Sequence, residues 1–471
     1  MNIVLVNVGS KFGPVKAESA WPPLGIVYLG TILKNKFHEV TLFDHGFEQI
    51  TLKKLGDSIL NKNPDIVGLS TLTSSGIVAA KLSEYLKDRN PDIKIVWGGI
   101  HATFNDKRIL EKYPFVDYIV RKEGEQTFPE LVDTIEKERN LKDVTGISFR
   151  ANGEIFSTPD RPLIRDLDVL PFPDRDLLEF KYTSEINGIL FSKHFTSILS
   201  SRGCPFSCRF CCCSSFLDRL WRARSPENVV EELELLESEG YKQVLFADDN
   251  LTLNEKRMIK ICRMIKKRKI NIEWFCEGRT DQSSFEMLKW MKKAGCRVIY
   301  FGVESASDKV LKYYNKNLTF SHTMSTVKKA RKVGLEIIGT YVIGAPMESE
   351  KEMRKTILSP HKLKIDFPQF NIFAATPGTP IWRELSDKGY IKDDDWEKQI
   401  LVPDVHPDCI PKEKILNMIK DGYKQFINRA SFIGEQVLKT ITSSFRMRVL
   451  LMNIHNENMR NVSKFYEEIY E

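Results

Sequence analysis

No cysteine stands before Cys204, and no run of about 18 apolar residues occurs anywhere in the chain. The first absence leaves no cysteine cluster ahead of the middle of the chain. The second leaves no stretch that reads as a membrane-spanning helix. Charge of one sign is nearly lacking in excess: 70 basic residues stand against 63 acidic ones, a net +7. Spread over 471 residues, that is weak support for a nucleic-acid partner and compatible with an anionic cofactor or substrate. The opening residues 1–10 lack a basic segment followed by an apolar stretch and a small-residue cleavage site, so a cytoplasmic protein is expected. Nine cysteines, unevenly placed, are too few for a secreted disulfide framework. What is present is an ordinary folded composition, 42% hydrophobic, with a length that suits two or three domains.

Five of the nine cysteines fall within ten positions: Cys204, Cys208, Cys211, Cys212 and Cys213. The first three are spaced C-x3-C-x2-C on a loop that follows a strand-like run at 195–200. Soft thiolates suit iron, and three of them leave one iron of a four-iron cubane open for chemistry. A zinc site wants four tetrahedral ligands. Three adjacent residues, 211–213, do not all reach one centre without distortion, and paired C-x2-C halves are missing. An exposed iron–sulfur centre favours a reducing compartment.

Residues 1–145 alternate short apolar runs with helix-like stretches, the pattern of a buried parallel sheet. Ligands in such sheets bind at the carboxyl ends of strands. Ser70, Thr71 and Leu72 end one strand here, and Gly98 and Gly99 end another. Each also reads as an ordinary strand-to-helix turn, and His101 beside them reads as a cofactor contact, a helix cap or a solvent-facing ring. Residues 146–193 form a turn-rich connector, with a hairpin at Asn152-Gly153 and prolines at 162, 171 and 173. Residues 194–385 carry six strand–helix units. Their carboxyl ends hold Asp248, Asp249, Asn250, Arg279, Glu304 and Gly344. Singly, each of these also reads as a loop cap or a salt bridge. Cys262 and Cys276 read as buried core thiols. Residues 386–471 begin polar, pass through a proline loop with His406 and Cys409, and end in two basic helices, about 412–430 and 433–470. Such helices suit a packed cap, a membrane surface or an electron-donor contact.

The cysteine loop, with Phe210 before its third cysteine, resembles the signature of the radical SAM superfamily. That resemblance implies a [4Fe–4S] cluster on Cys204, Cys208 and Cys211. It also implies S-adenosylmethionine (SAM) bound at the open iron and cleaved to a 5′-deoxyadenosyl radical. Asp248, Asp249 and Asn250 match the place of the family's Gly-Gly-Glu motif, which accepts from the SAM ammonium, although its glycines are absent here. Arg279 is then a partner for the SAM carboxylate, Glu304 a ribose ligand or an anchor for Arg279, and Gly344 part of the stretch beside adenine. The first domain resembles the cobalamin-binding domain that precedes many radical SAM domains. Its pocket corresponds to Ser70 to Leu72 and to Gly98-Gly99, and the runs 97–103 and 123–127 and Pro22-Pro23-Leu24-Gly25 share the likeness. The family's cobalt-binding histidine has no counterpart between Gly9 and Leu24, and the motif is not formed around His45.

The implied architecture is α/β: a Rossmann-like cobalamin-binding domain, a partial (β/α)6 TIM-type radical SAM barrel and a helical C-terminal cap. The implied activity is cobalamin-dependent methylation of an unactivated carbon. Cyclisation, another C–C bond-forming step or rearrangement on the same architecture is the alternative. An iron–sulfur scaffold without turnover is a rival from another class. A methylthiotransferase is disfavoured by the missing upstream cysteines. The partners expected are a small-molecule or lipid substrate and a low-potential donor such as ferredoxin or flavodoxin. Nothing in the sequence marks the substrate or the residues that act on it.

Overall fold

The computed structural model describes residues 1–10, 21–48, 50–186 and 189–454. Two compact units emerge, and neither is one continuous segment. The first takes residues 1–180, 211–222 and 376–399; the second takes 181–210, 223–375 and 400 onward.

The first unit is built on a seven-stranded sheet: β1 (Asn2–Asn7), β2 (Glu39–Asp44), β3 (Ile66–Ser70), β4 (Lys94–Gly98), β5 (Tyr118–Val120), β6 (Ile147–Ala151) and β7 (Glu154–Ser157). Its order is β2-β1-β3-β4-β5-β6-β7. The first five strands are parallel, and β6 and β7 join antiparallel at the edge. Ile3 to Val6, Ile66, Val67, Ile95 and Trp97 are wholly buried, as expected of strands covered on both faces. The order reverses between β1 and β3, so the crevice beyond their carboxyl ends is the natural ligand position.

The hairpin read from sequence as part of the connector thus extends this sheet. The stretch 376–399, read as the end of the barrel and the start of the cap, also belongs to the first unit. The reason lies in particular contacts. The Trp396 ring stacks on His101 at 5.7 Å. Arg108 pairs with Asp393 at 2.7 Å and Lys112 with Glu397 at 2.5 Å. Phe104 lies where a Cβ on Gly378 would meet it at 2.5 Å.

The second unit holds six parallel strands in sequential order: Phe195–Ile198, Gln243–Phe246, Glu273–Gly278, Cys296–Glu304, Glu336–Ile343 and Phe367–Ile372. Among the described residues the first and sixth strands do not pair, so the barrel is open. Helices Pro226–Ser238, Glu255–Arg268, Phe285–Lys293, Phe320–Lys332 and Glu350–Leu363 connect the strands, and each starts at a capping side chain: Ser225, Asn254, Ser284, Thr319 and Ser349. Trp274, Cys276, Ile299, Phe301, Ile337 and Tyr341 fill the layer between strands and helices. Their neighbours in the two-residue strand period, such as Phe275, Glu277 and Tyr300, face the barrel lumen.

The C-terminal helices run Lys412–Ile427, Ala430–Thr442 and Ser444–Ile454. The long helix expected over 433–470 breaks at extended Ser443; its part beyond 454 lies outside the described residues. The last two helices do not close over the barrel mouth. Arg446 donates to Glu336 at 2.6 Å and pairs with Asp366 at 2.9 Å, Lys439 reaches Asp366 at 2.5 Å, and Arg448 pairs with Glu273. Glu273 and Glu336 begin strands and Asp366 precedes one, so these helices cover the amino ends of the strands. Much of their basic charge is spent in those ion pairs. Among the described residues no helix is long and apolar enough to cross a membrane.

Candidate active site

In the first unit the strand-end residues converge as the sequence suggested. The Thr71 N–H and hydroxyl donate to the Gly98 carbonyl at 2.9 and 2.8 Å, locking the loops after β3 and β4 together. Gly99 has φ +92°, and a Cβ there would sit 2.7 Å from the Thr71 carbonyl oxygen. Only glycine suits that position. At Gly98 a Cβ would meet nothing closer than 3.7 Å, which leaves room beside the strand end for a ligand. Leu72 is 57% exposed, so a large apolar side chain stands at this edge with little cover from the described residues. A loop cradle of small residues with an exposed leucine fits a bulky, partly apolar cofactor.

Two histidines are settled by their surroundings. His45 receives the Gly9 N–H on Nδ1 at 3.3 Å, and its Nε2 lies 3.3 Å from the Ile50 carbonyl. Both ring nitrogens are engaged, so it is not a metal ligand as it stands. His101 is neither a cap nor solvent-facing. It is 1% exposed, burial pushes it down to about 4, and it packs between Gly76 and Trp396.

In the second unit the part of the cysteine loop that carries Cys204 and Cys208, up to Phe210, is held on several sides. Gly203, at φ +85°, donates its N–H to Asp249 at 2.7 Å. The Arg279 guanidinium lies 3.7 Å above the Phe206 ring and 3.8 Å from the Cys208 sulfur. Phe210 presents its edge to Tyr314 and Phe373, at 5.4 and 6.3 Å between ring centres. Cys208 is buried, while Cys204 and Cys211 are partly exposed. A donor set of three thiols within eight residues, with a guanidinium beside one of them, fits an iron–sulfur cluster whose sulfur ligands carry negative charge.

The three residues in the Gly-Gly-Glu position separate into distinct roles. Asp248 is 1% exposed and accepts from the Ser200 N–H and the Ser200 and Ser201 hydroxyls at 2.8, 2.7 and 2.5 Å. Burial raises its pKa despite those bonds. It ties the second strand to the first, and its oxygens are turned inward, so the expectation that it contacts a cofactor does not fit this geometry. Asp249 is exposed and keeps carboxylate capacity beyond its bond to Gly203. Asn250 is buried; its oxygen takes the Thr252 hydroxyl, and its amide nitrogen has no partner among the described residues.

Arg279 pairs with Asp281 at 3.0 Å and donates to the Lys316 carbonyl at 2.9 Å. Burial works against its charge, but Asp281 and the thiols of Cys208 and Cys204 hold its pKa above the ordinary value. Glu304 does not anchor Arg279. It pairs with Lys316 at 2.5 Å, both side chains being nearly buried. Glu304 adopts φ +59°, a conformation rare for its type and typical of strained functional positions. Gly302 makes room for the pair: a Cβ there would lie 2.5 Å from Glu304 and 2.6 Å from Lys316. Gly344, at φ +99°, packs where a Cβ would strike Pro403 at 2.7 Å, and its carbonyl accepts from the Cys409 thiol at 3.5 Å.

Glu277 was not singled out from sequence. It faces the lumen one residue from buried Cys276; its side chain is exposed to the water of the lumen, although protein surrounds it on most sides. Burial pushes its carboxyl up to about 7, the charges of Asp249 and Glu304 adding to the effect and Lys316 opposing it. Its register partner on the next strand is Tyr300. The alternation in Glu273–Gly278 was the available signal. Cys262, Cys276 and Cys296 are wholly buried core thiols.

An open parallel barrel with a three-cysteine loop at its first strand, in one chain with a five-strand parallel sheet and its glycine cradle, defines a class of radical enzyme with a corrinoid domain. The comparisons agree. The B12 binding domain model matches residues 12–132, and the Radical SAM superfamily model matches 198–359. An uncharacterized methyltransferase of Pyrococcus horikoshii is 35% identical over 421 residues, covering 89% of this chain and 90% of that protein. The anaerobic magnesium-protoporphyrin IX monomethyl ester cyclase of Rubrivivax gelatinosus is 29% identical, covering 92% and 78%. The structure of the radical SAM methyltransferase TsrM of Kitasatospora setae, with cobalamin and a [4Fe–4S] cluster, superposes with a TM-score of 0.67 at 18% identity, over 82% of this chain and 78% of that one. This chain belongs to the radical SAM superfamily, among the members that carry an N-terminal B12-binding domain. It is an enzyme, and its cofactors are a [4Fe–4S] cluster, SAM and cobalamin.

Proposed function

We propose that this enzyme transfers a methyl group to an unactivated carbon of a small-molecule substrate. The observation that carries the reading is the presence in one chain of both cofactor domains, in a protein 35% identical over nearly its whole length to an uncharacterized methyltransferase. When bound, the cluster, SAM and cobalamin supply a primary carbon radical and a transferable methyl group.

The chain's own residues do the positioning. In this reading Cys204, Cys208 and Cys211 hold the cluster, and Arg279 places positive charge beside its sulfur ligands. Asp249 accepts from the SAM ammonium, which the inward-turned Asp248 cannot do. Asn250 offers its buried amide, unpartnered among the described residues, to the same region. Glu304, fixed by Lys316, meets the ribose hydroxyls, and Phe210 and Gly344 flank the adenine. The first unit, through Ser157, takes the B12-binding role, with Ser70, Leu72, Gly98 and Gly99 lining the cofactor. The barrel of the second unit takes the radical role. A cytoplasmic location and an external low-potential electron donor belong to the same reading. Cyclisation is the second reading, favoured by the likeness to the Rubrivivax cyclase.

The test is anaerobic purification, reconstitution with iron, sulfide and cobalamin, and incubation with SAM and a strong reductant. Methyl transfer predicts about one cobalt per chain, with both 5′-deoxyadenosine and S-adenosylhomocysteine released. Release of 5′-deoxyadenosine with no S-adenosylhomocysteine favours cyclisation. A bound cluster with no SAM cleavage rejects both.

A further inference from the structure

The cysteine loop is gripped along one side by a single short stretch of the second unit. The Arg209 N–H donates to the Tyr314 carbonyl at 3.0 Å. The Asn315 side-chain amide donates to the carbonyl and the hydroxyl of Ser207 at 2.9 and 2.8 Å. The Arg209 guanidinium lies 4.5 Å from the centre of the Tyr313 ring. These contacts come from the end of the helix Asp308–Tyr313 and the two residues after it.

Past the exposed Asp308 at its start, that helix presents two lysines on its outer side. Lys309 and Lys312 are exposed there, and with Arg209 they border a hollow of 490 Å³ that reaches the segment 345–348. Lys312 has no ion-pair partner among the described residues. Lys309 donates to the Met347 carbonyl at 3.1 Å and stands 3.9 Å from Glu352. Met347 itself is 63% exposed at φ +60°, a conformation uncommon for a bulky side chain. Three cations therefore border one hollow with an exposed apolar side chain; Arg209 follows Cys208 directly, and the hollow's far wall, 345–348, continues from Gly344, so the face adjoins the proposed cofactor contacts without including Lys309 or Lys312 among them.

Such a face has the character of a transient redox contact. Those contacts are small, with charge guiding encounter and a modest apolar centre giving adhesion. The radical reading requires one electron from outside for each SAM cleaved. We propose that the face formed by Arg209, Lys309, Lys312 and Met347 docks a small acidic protein carrying a low-potential one-electron centre. The inference rests on the radical reading. The donor loses one electron and the cluster gains it; no bond or proton changes place. The contact from Arg209 and Asn315 into the loop sets the docked partner beside the cysteines.

The experiment uses the reconstituted holoenzyme and an acidic flavodoxin as probe. Stopped-flow measurement gives the association rate of the flavodoxin and, separately, the rate at which its reduced form reduces the cluster. For the double variant Lys309→Glu/Lys312→Glu, association should slow on the order of tenfold or more at low ionic strength. The difference should shrink as salt is added, and cluster reduction should slow in parallel. The milder Lys309→Gln/Lys312→Gln should lose less in the same direction. SAM cleavage driven by dithionite should stay at the wild-type rate. Equal association rates for wild type and variants would overturn the proposal, as would a loss that appears with dithionite too, since the lysines would then be supporting the loop. Wild-type enzyme that cleaves no SAM with dithionite would instead remove the radical reading, an outcome distinguishable because flavodoxin association is read without turnover.

Discussion

At the scale of single residues, the two glycines after β4 differ in what they do. Gly99 is held at positive φ with the Thr71 carbonyl pressed against it, so Gly99→Ala should cost about 1–3 kcal/mol of stability in urea unfolding of the cofactor-free protein. Gly98→Ala has room and should change stability by less than about 1 kcal/mol. It should weaken cobalamin binding, because the methyl group enters the space beside the strand end. Binding titration and unfolding thus separate the two substitutions. Glu277 is the second residue with a distinct prediction. Its pKa is raised to about 7, so the folded state disfavours its charged form. The stability it contributes is present below the ordinary carboxylate range and is lost as pH rises through about 7. The melting temperature of the cofactor-free protein should therefore fall between about pH 5 and pH 8, and Glu277→Gln should flatten part of that fall. Glu48 and Glu348, also raised to about 7 by burial, and Asp248, raised as well, add to that fall, whereas His101, pushed down to about 4, opposes it up to the ordinary imidazole range. A variant with the wild-type slope would show that Glu277 is fully solvated.

At the scale of elements, five barrel helices begin at side-chain caps. Ser225→Ala, Ser284→Ala and Ser349→Ala should each cost about 1 kcal/mol in urea unfolding, with Ser349 at the higher end because Glu352 returns a bond to its backbone. These caps, the continuous apolar strands and the cysteine spacing are local signals, so the parallel sheet, the six-unit barrel and the cluster loop were all legible in the sequence. Other features were not, for reasons of distance. That Asp248 turns inward while Asp249 turns outward depends on Ser200 and Ser201, about fifty positions away. That Glu304 takes Lys316 as partner depends on a strand irregularity and on Gly302. The break at Ser443 and the placement of the last helices under the strands depend on Glu273, Glu336 and Asp366, acids whose ends of the strands carry no motif.

At the scale of the whole molecule, assignment of segments to units followed contacts rather than order. Trp396 and Asp393 belong with His101 and Arg108, although nearly three hundred positions separate them. A fragment of residues 1–180 would lack the ring that covers His101 and the acids that pair with Arg108 and Lys112. It should melt below the intact protein and bind cobalamin more weakly, as measured by circular dichroism and corrinoid titration. A fragment equal to the whole in both would show that the later segments contribute nothing to this unit.

The same dispersed membership bears on how the protein is made. Chains usually finish their N-terminal domain first as they leave the ribosome, at about 5–20 residues per second. Here the first unit, though first to be translated, lacks its last piece until residues 376–399 emerge. Its sheet must wait with the His101 region uncovered for a time on the order of ten seconds or more. The half of the protein that begins to form earliest is therefore among the last to be completed, and that interval is when a newly made chain is most exposed to misassembly.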